Sequence, residues 1–561
     1  MVMPTNPLSR RAGLRRVLVL CILVCSAGGA ASATTPSVDW VVRYNGLGNG
    51  NCQTTDMAVD AGGCAYVTGY SSGRGWDFAT VKYSPGGRQL HAARYNGAPG
   101  GDDVPSGIVL DRRGDVYVVG YSAVSTQFNY DFVTIKYDST LTQQWIRVYT
   151  GQGNFGLDAA YAVAADSLGN VYATGESFEP ATDSDIVTVK YNSAGVFQWA
   201  ERYNGIGNAG DAGNAITIDR SGFVYITGIT QRSPSGGDMD LTTIKYDSNG
   251  VAQWAQIYDG PAGGNDGGIA VGLDSAGNVY VAGFSTGIGS AFDFTTVKYA
   301  GSDGHQLWLR TYDPERANDA AKALVVDGSD NVIVTGFATI TGTESDYATI
   351  KYDSAGNQLW LRTYDGPVGG FDEAQSAVLD RDGNVYITGY SDGGTGLVNY
   401  DYATIRYDAA GNQQWLVRYN GTGNNIDIGV RVALDPQNNV IVGGWSTGTH
   451  LTDVDFTTIK YDQHEGAGVP PAVSASRALR IASEPNPFDD QTRFRYSLAS
   501  AGPVELTLWN VSGRCVRTLF REWRNQGEHE VVFKGDGLPA GVYVFRLKEG
   551  DEAVSGKIVR R

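Results

Sequence analysis

Cysteine is scarce in this chain, 5 in 561 residues, and Cys21 and Cys25 fall inside an N-terminal apolar run. The remaining three, Cys52, Cys64 and Cys515, are too few for a disulfide framework or a four-thiolate metal site. Histidine is equally sparse at 5. His91, His305, His450, His464 and His529 form no His-x-x-x-His or Glu-x-x-His pattern, which excludes the common helical zinc motifs. There is no Gly-x-Ser-x-Gly elbow, and Gly46, Gly48 and Gly50 lack the strand-then-helix context of a phosphate loop. Basic residues are outnumbered, 43 against 60 acids, for a net charge of -17. Such a chain repels nucleic acid and anionic membranes. No segment after the first 33 residues is apolar for long enough to cross a bilayer.

What is present begins with a targeting segment. Arg10, Arg11, Arg15 and Arg16 precede the apolar run from Val17 to Cys25, and Ala31-Ser32-Ala33 offers small residues for cleavage. This is the three-part plan of a secretory signal, removed at 1–33. Val24 before Cys25 and Gly13 after the arginine pair fit lipoprotein and twin-arginine signals poorly.

Glycine (75) and tyrosine (32) are abundant, a composition of turns and aromatic strands. A Lys-Tyr or Arg-Tyr pair recurs with its tyrosine at 83, 137, 191, 246, 299, 352, 407 and 461, at steps of 53 to 55 residues. A fixed period of this length marks a repeat architecture. In the copy from Asp266 to Tyr312, the sequence predicts four strands: an Ala/Gly-rich strand a ending at Asp274, Val279 to Phe284 as b, Asp293 to Tyr299 as c, and Gln306 to Tyr312 as d. Small residues suit the crowded axis of a propeller, so strand a is innermost and the Trp-bearing strand d outermost. The eighth copy lacks its Trp strand, whereas Trp40 to Tyr44 stands alone at the start. A ring would close if that segment completed the last blade and removed the free edges. The expectation is an all-β, eight-bladed β-propeller over 34–462, a flexible linker over 463–477 and a small immunoglobulin-like β-sandwich over 478–561. The a–b and c–d turns are nearly constant. The d–a and b–c connections vary, as in Ser71 to Trp76, Thr230 to Met239 and Ser391 to Asn399, and variable loops on a rigid scaffold are where binding usually resides.

Two aspartates occur in all eight copies, one ending strand a (Asp60 to Asp435) and one opening strand c (Asp77 to Asp455). Repetition in every blade points to turn and strand capping. The strand-d Trp, replaced only by His91, reads as packing between blades. A third acid lies eight residues before the end of strand a: Asp103, Asp158, Asp211, Asp266, Asp319, Asp372 and Asp427, with Cys52 at that place in the first blade. These are the ligand-face candidates. Asp183 with Asp185, Asp238 with Asp240, and Asp453 with Asp455 share a strand side at two-residue spacing, so their carboxylates repel unless a cation or water separates them. Calcium is the cation such oxygen clusters favour; a solvated acidic rim is the plain alternative. Cys52 and Cys64 belong at opposite ends of a hairpin, roughly 26 Å apart, too far for a disulfide. Cys515 is expected in the core of the C-terminal domain.

The unit Asp-Ser-x-Gly-Asn-Val-Tyr-Val-Thr-Gly, then Asp-Phe-x-Thr-x-Lys-Tyr, then Gln-Trp-x-x-Arg-Tyr, resembles the bacterial β-propeller repeat of secreted surface proteins. That family's name implies seven blades, whereas eight copies are present here. The resemblance implies extracellular binding or scaffolding and assigns no catalytic residues. Lys351 to Trp360 is also similar to the tryptophan-docking repeat of quinoprotein dehydrogenases, but the adjacent cysteines of those enzymes are missing, and the likeness reduces to blade packing. Residues 471–561 carry 14 basic and 11 acidic side chains, reversing the sign of the rest. Their landmarks, Pro485-Asn-Pro-Phe488, Leu538-Pro-Ala-Gly-Val-Tyr543 and Lys557-Ile-Val-Arg-Arg561, resemble the C-terminal sorting domain of the type IX secretion system. The resemblance implies secretion or display on the outer surface of a Gram-negative bacterium, with the secretion machinery as a partner. The functional expectation is a non-catalytic propeller that binds an extracellular glycan, protein or matrix polymer through its variable face. Two alternatives stay open: a polysaccharide-acting enzyme using carboxylates on that face, and a structural surface-layer component.

Overall fold

The computed structural model describes residues 35–463 and 480–561, apart from 47–49, 74, 98–99, 126–128, 152–155, 234–236, 290, 341–343, 395–398, 449–452, 485, 499–501, 511–513, 525–526 and 550–551. The signal segment 1–33 and all but the first residue of the expected linker lie outside the described residues. Among those described, the strands between 37 and 462 make eight four-stranded antiparallel sheets. In chain order, blades 1 to 7 occupy 52–95, 103–149, 158–203, 211–258, 267–312, 320–364 and 372–419. Each is an up-and-down set of strands a, b, c and d.

Blade 8 takes strands a to c from Asp427–Leu434, Val440–Thr447 and Val454–Asp462, and its outer strand from Ser37–Tyr44 at the start of the chain. Val41 lies opposite Ile459 and Val42 opposite Thr458. The first strand of each blade packs on the first strand of the next, and that of blade 8 on Cys52–Val59 of blade 1.

Two glycine positions explain how blades of this kind close-pack. Strand a carries one register shift in every blade, as between Thr54 and Asp56. The strand-b glycine opposite it leaves room for the neighbouring main chain: a Cβ at Gly69 would stand 2.1 Å from the Gln53 carbonyl oxygen. The second position is the c–d turn. Gly356 has φ +83°, and a Cβ there would meet the Trp308 ring at 2.9 Å.

Trp308, on strand d of blade 5, covers that turn of blade 6 and donates its indole N–H to the Ser354 carbonyl oxygen at 3.2 Å. Trp145, Trp199, Trp254 and Trp360 make the same bond to the following blade, and Trp40 makes it to Pro85 of blade 1 at 2.9 Å. The strand-c lysine donates to the same carbonyl oxygen, as Lys298 does to that of Ser354 at 3.1 Å. Lys298 also pairs with Asp274 at 2.9 Å. Asp274 in turn accepts the main-chain N–H groups of Ala276 and Asn278. Burial opposes the charge on Asp274, yet the bonds from Asn278 and Lys298 hold its carboxyl below the usual range. The strand-a aspartates therefore cap turns, and Asp60, Asp274, Asp327 and Asp435 also anchor the lysine that docks the next blade.

Cys52 is buried and Cys64 half-buried, both as free thiols at opposite ends of the first hairpin. The C-terminal segment forms a three-stranded sheet (Arg480–Glu484, Gln491–Leu498, Gly527–Lys534) and a four-stranded sheet (Gly502–Asn510, Cys515–Arg524, Gly541–Glu549, Glu552–Arg560). Phe494, Leu506, Phe545, Leu547 and Ile558 share one core. The expectation that Cys515 lies in that core is corrected: it is the first residue of its strand, and the thiol is exposed. The sequence landmarks converge: Asn486 bonds the main chain of Lys557 and Val559, Phe488 is buried, and the Arg560 guanidinium reaches the carbonyl oxygens of Gly535 and Leu538. No helix among the described residues is long and apolar enough to cross a membrane.

Candidate binding face

The d–a and b–c connections share one side of the ring because strands a and c start there and b and d end there. The seven candidate acids, Asp103, Asp158, Asp211, Asp266, Asp319, Asp372 and Asp427, lie on this side at the start of strand a, but all are buried. Six clamp the preceding loop. The main-chain N–H of Gly97 donates to Asp103 at 2.7 Å, and Gly151, Gly205, Gly260, Gly366 and Gly421 do the same for their own aspartates. A second oxygen commonly accepts the N–H of the residue after strand-b serine or threonine, as Thr286 donates to Asp266 at 2.8 Å. The expectation of surface carboxylates is corrected here: these groups shape the loops from beneath. Burial pushes Asp211, Asp372 and Asp427 up to about 6 and Asp319 up to about 7.

The acid pairs considered for calcium each face a guanidinium. Arg202 reaches Asp185 at 3.0 Å, while Asp183 is exposed at the strand's start. Arg43 lies 3.6 Å from Asp455, with Asp453 half-buried beside it. Arg232 joins Asp240 to Asp259, the latter at 3.1 Å, and Asp238 completes that cluster. A second three-carboxylate group is Asp346, Asp365 and Asp372, with one oxygen from each within 4.8 Å of the others.

The arginines follow a one-residue rule. In blades 1, 3, 7 and 8 the residue before the final tyrosine of strand d is Arg94, Arg202, Arg418 or Arg43, and each pairs with the strand-c aspartate of its own blade. In blades 2, 5 and 6 the arginine comes one place earlier, and alternation along a strand sends it to the other side. There Arg147, Arg310 and Arg362 lie over the strand-d Trp and donate to a carbonyl oxygen of the next blade. Val148, Ile257, Thr311 and Thr363 then occupy the arginine's place in blades 2, 4, 5 and 6. The residue after the tyrosine changes in concert: Asn45, Asn96, Thr150, Asn204 and Asn420 in blades 8, 1, 2, 3 and 7, but Asp259, Asp313 and Asp365 in blades 4, 5 and 6.

Sequence reasoning missed a set of aromatics at the mouths of the b–c connections. Tyr70 and Trp76 in blade 1 meet edge to face with centroids 4.7 Å apart. Tyr121–Tyr130 in blade 2, Phe284–Phe292 in blade 5 and Tyr390–Tyr400 in blade 7 make equivalent pairs at 5.2, 4.8 and 5.0 Å. All eight rings are half-buried, so each keeps surface open to the loop side. Polar groups stand beside them: Tyr70 donates to Gln53 and Tyr161 to Glu176. Burial, together with the Glu373 carboxylate, raises the Tyr390 phenol. The available signal was the column after the constant strand-b glycine, which reads Tyr, Tyr, Glu, Ile, Phe, Phe, Tyr, Trp.

A family model described as a β-propeller repeat matches residues 93–125, the end of blade 1 and the first hairpin of blade 2. A second, described as a secretion system C-terminal sorting domain, matches residues 485–561. The chain thus carries a β-propeller repeat and a C-terminal sorting domain. An uncharacterized WD repeat-containing protein of Acanthamoeba polyphaga mimivirus is 24% identical over 460 residues, which span 65% of this chain and 31% of that protein. Among solved structures, the quinohemoprotein alcohol dehydrogenase of Comamonas testosteroni is 10% identical with a TM-score of 0.49, covering 79% of this chain and 78% of its own. The type-IX secretion component PorZ of Porphyromonas gingivalis is 12% identical with a TM-score of 0.30, covering 91% and 81%. Neither structural likeness carries a functional argument. The sorting domain points to secretion or cell-surface display and to contact with the secretion machinery.

Proposed function

We propose that the protein is a secreted or cell-surface, non-catalytic eight-bladed propeller with an immunoglobulin-like sorting domain, and that its loop face binds an extracellular glycan. The observation that carries this reading is the set of half-buried aromatic pairs at the b–c mouths. Flat rings offer the C–H faces of sugars apolar contact, and adjacent phenol, indole and amide groups complete the hydroxyls. Most of the recurring acids are committed to loop amides, turn amides and arginines, whereas these rings vary from blade to blade and keep surface open to the loop side. A glycan array probed with the mature chain, with and without calcium, tests the reading, and turnover assays on the hits accompany it. Binding without turnover supports it. Hydrolysis of a hit would make the protein an enzyme, and binding to proteins alone would remove the glycan.

A further inference from the structure

The loop face is not uniform around the ring: both its aromatics and its charges differ between blades 7, 8 and 1 and blades 4 to 6. Blades 4, 5 and 6 carry the extra acids Asp259, Asp313 and Asp365, and blades 5 and 6 have threonine where an arginine would meet the strand-c aspartate. Their b–c mouths hold only phenylalanine as aromatic: Phe284, Phe292 and Phe337. Blades 7, 8 and 1 have the neutralising arginines Arg418, Arg43 and Arg94, at 2.9, 3.6 and 2.6 Å from their aspartates. Among the described residues of these blades and of blade 2, every b–c mouth aromatic has a polar tip: the Tyr390 and Tyr121 pairs, Trp445, and Tyr70 with Trp76.

These four blades adjoin because Ser37–Tyr44 closes the ring, which sets blade 8 between 7 and 1. The aromatics of blades 1 and 2 lie within reach of one another: Tyr121 is near enough to Tyr70 to help burial raise that phenol, and Tyr121 also acts on Tyr161 of blade 3. Tyr and Trp join an apolar ring to a hydrogen-bonding tip, whereas Phe supplies the ring alone.

Resting on the glycan reading above, we infer that blades 7, 8, 1 and 2 form one continuous platform for an extended, uncharged polysaccharide. The acidic arc of blades 4 to 6 lies outside its path. Four successive aromatic stations suit a chain polymer more than a single sugar, and the chain's net charge of -17 disfavours uronate- or sulfate-bearing polymers.

Affinity electrophoresis of the mature chain in gels containing laminarin, mannan, xylan or alginate tests this. Retardation by at least one of the three neutral polymers and none by alginate is expected. Trp76→Ala and Tyr400→Ala should each weaken that retardation about fivefold to tenfold, with unchanged thermal melts as the folding control. Phe337→Ala, in blade 6 of the acidic arc and outside the four aromatic pairs, should bind as the parent does. An equal loss in Phe337→Ala, or retardation by alginate, overturns the platform while leaving the glycan reading intact. Absence of retardation in all four gels, together with a blank glycan array, overturns both.

Discussion

Asp319 is fully buried, and its Oδ2 atom has no donor because Pro314 occupies the place from which six counterparts receive an N–H. The position is two residues past the strand-d tyrosine, glycine in the six clamped loops and proline after Tyr312. Proline has no N–H to give. Oδ1 still accepts from Thr339 at 2.6 Å. Burial, with the nearby charges of Asp313 and Asp293, pushes this carboxyl up to about 7.

Asp319 should therefore make stability fall with rising pH. The unfolded chain releases this proton near pH 4, while the folded chain keeps it until about 7. Stability contributed by the proton is complete below pH 4, declines between 4 and 7, and is gone above 7. Pro314→Gly supplies the missing donor, lowers the folded value and should flatten that decline. Melting temperatures of parent and variant, measured from pH 4 to 8, report the slope independently of the glycine's added chain entropy.

Trp308→Ala should cost about 3–5 kcal/mol, since it empties the cover over the turn of blade 6 and removes the bond to Ser354. Gly356→Ala acts on the other half of the same contact. At φ +83°, with a Cβ 2.9 Å from the ring, it should cost about 1–3 kcal/mol. Urea unfolding of the two single variants and the double variant would show strong non-additivity.

Removing Arg232 should expose a cation requirement. In the parent the guanidinium joins Asp240 to Asp259. Arg232→Ala leaves the three carboxylates of Asp238, Asp240 and Asp259 to repel one another, and Ca2+ at about millimolar concentration should restore the lost melting temperature. The calcium-dependent rise should be larger in the variant than in the parent and reversed by chelation.

Deleting residues 34–44 removes the outer strand of blade 8 and exposes the 454–462 strand as an edge. Lower stability and concentration-dependent association, followed by light scattering, are the expected results. The deletion also removes Arg43, so Arg43→Ala alone serves as the control for the lost pair with Asp455.

Much of the architecture is legible without coordinates. The tyrosine period gives the repeat, Gly-Asn turns with alternating apolar residues give the strands, and the unmatched Trp40 segment gives the closure seen as Val41 opposite Ile459. The capping role of Asp274 and its counterparts is equally readable, because an Asx turn is local. The site was less legible. Asp103 and its equivalents have the composition of a surface acid, but their burial depends on a glycine amide six or seven residues upstream folding back over them. Cys515 shows the same limit, as its exposure depends on where its strand begins.

Order along the chain determines which residues share a blade, since strand pairing here is sequential and turn chemistry is local. It does not determine which blades share a partner. Tyr390 and Tyr70 are 320 positions apart in sequence and fall on one arc only because the first strand closes the last sheet. A one-residue offset of an arginine, neutral in composition, decides whether it cancels a carboxylate on the loop face or docks the outer edge of the next blade. Those are consequences of alternation and ring closure, and only the tertiary structure expresses them.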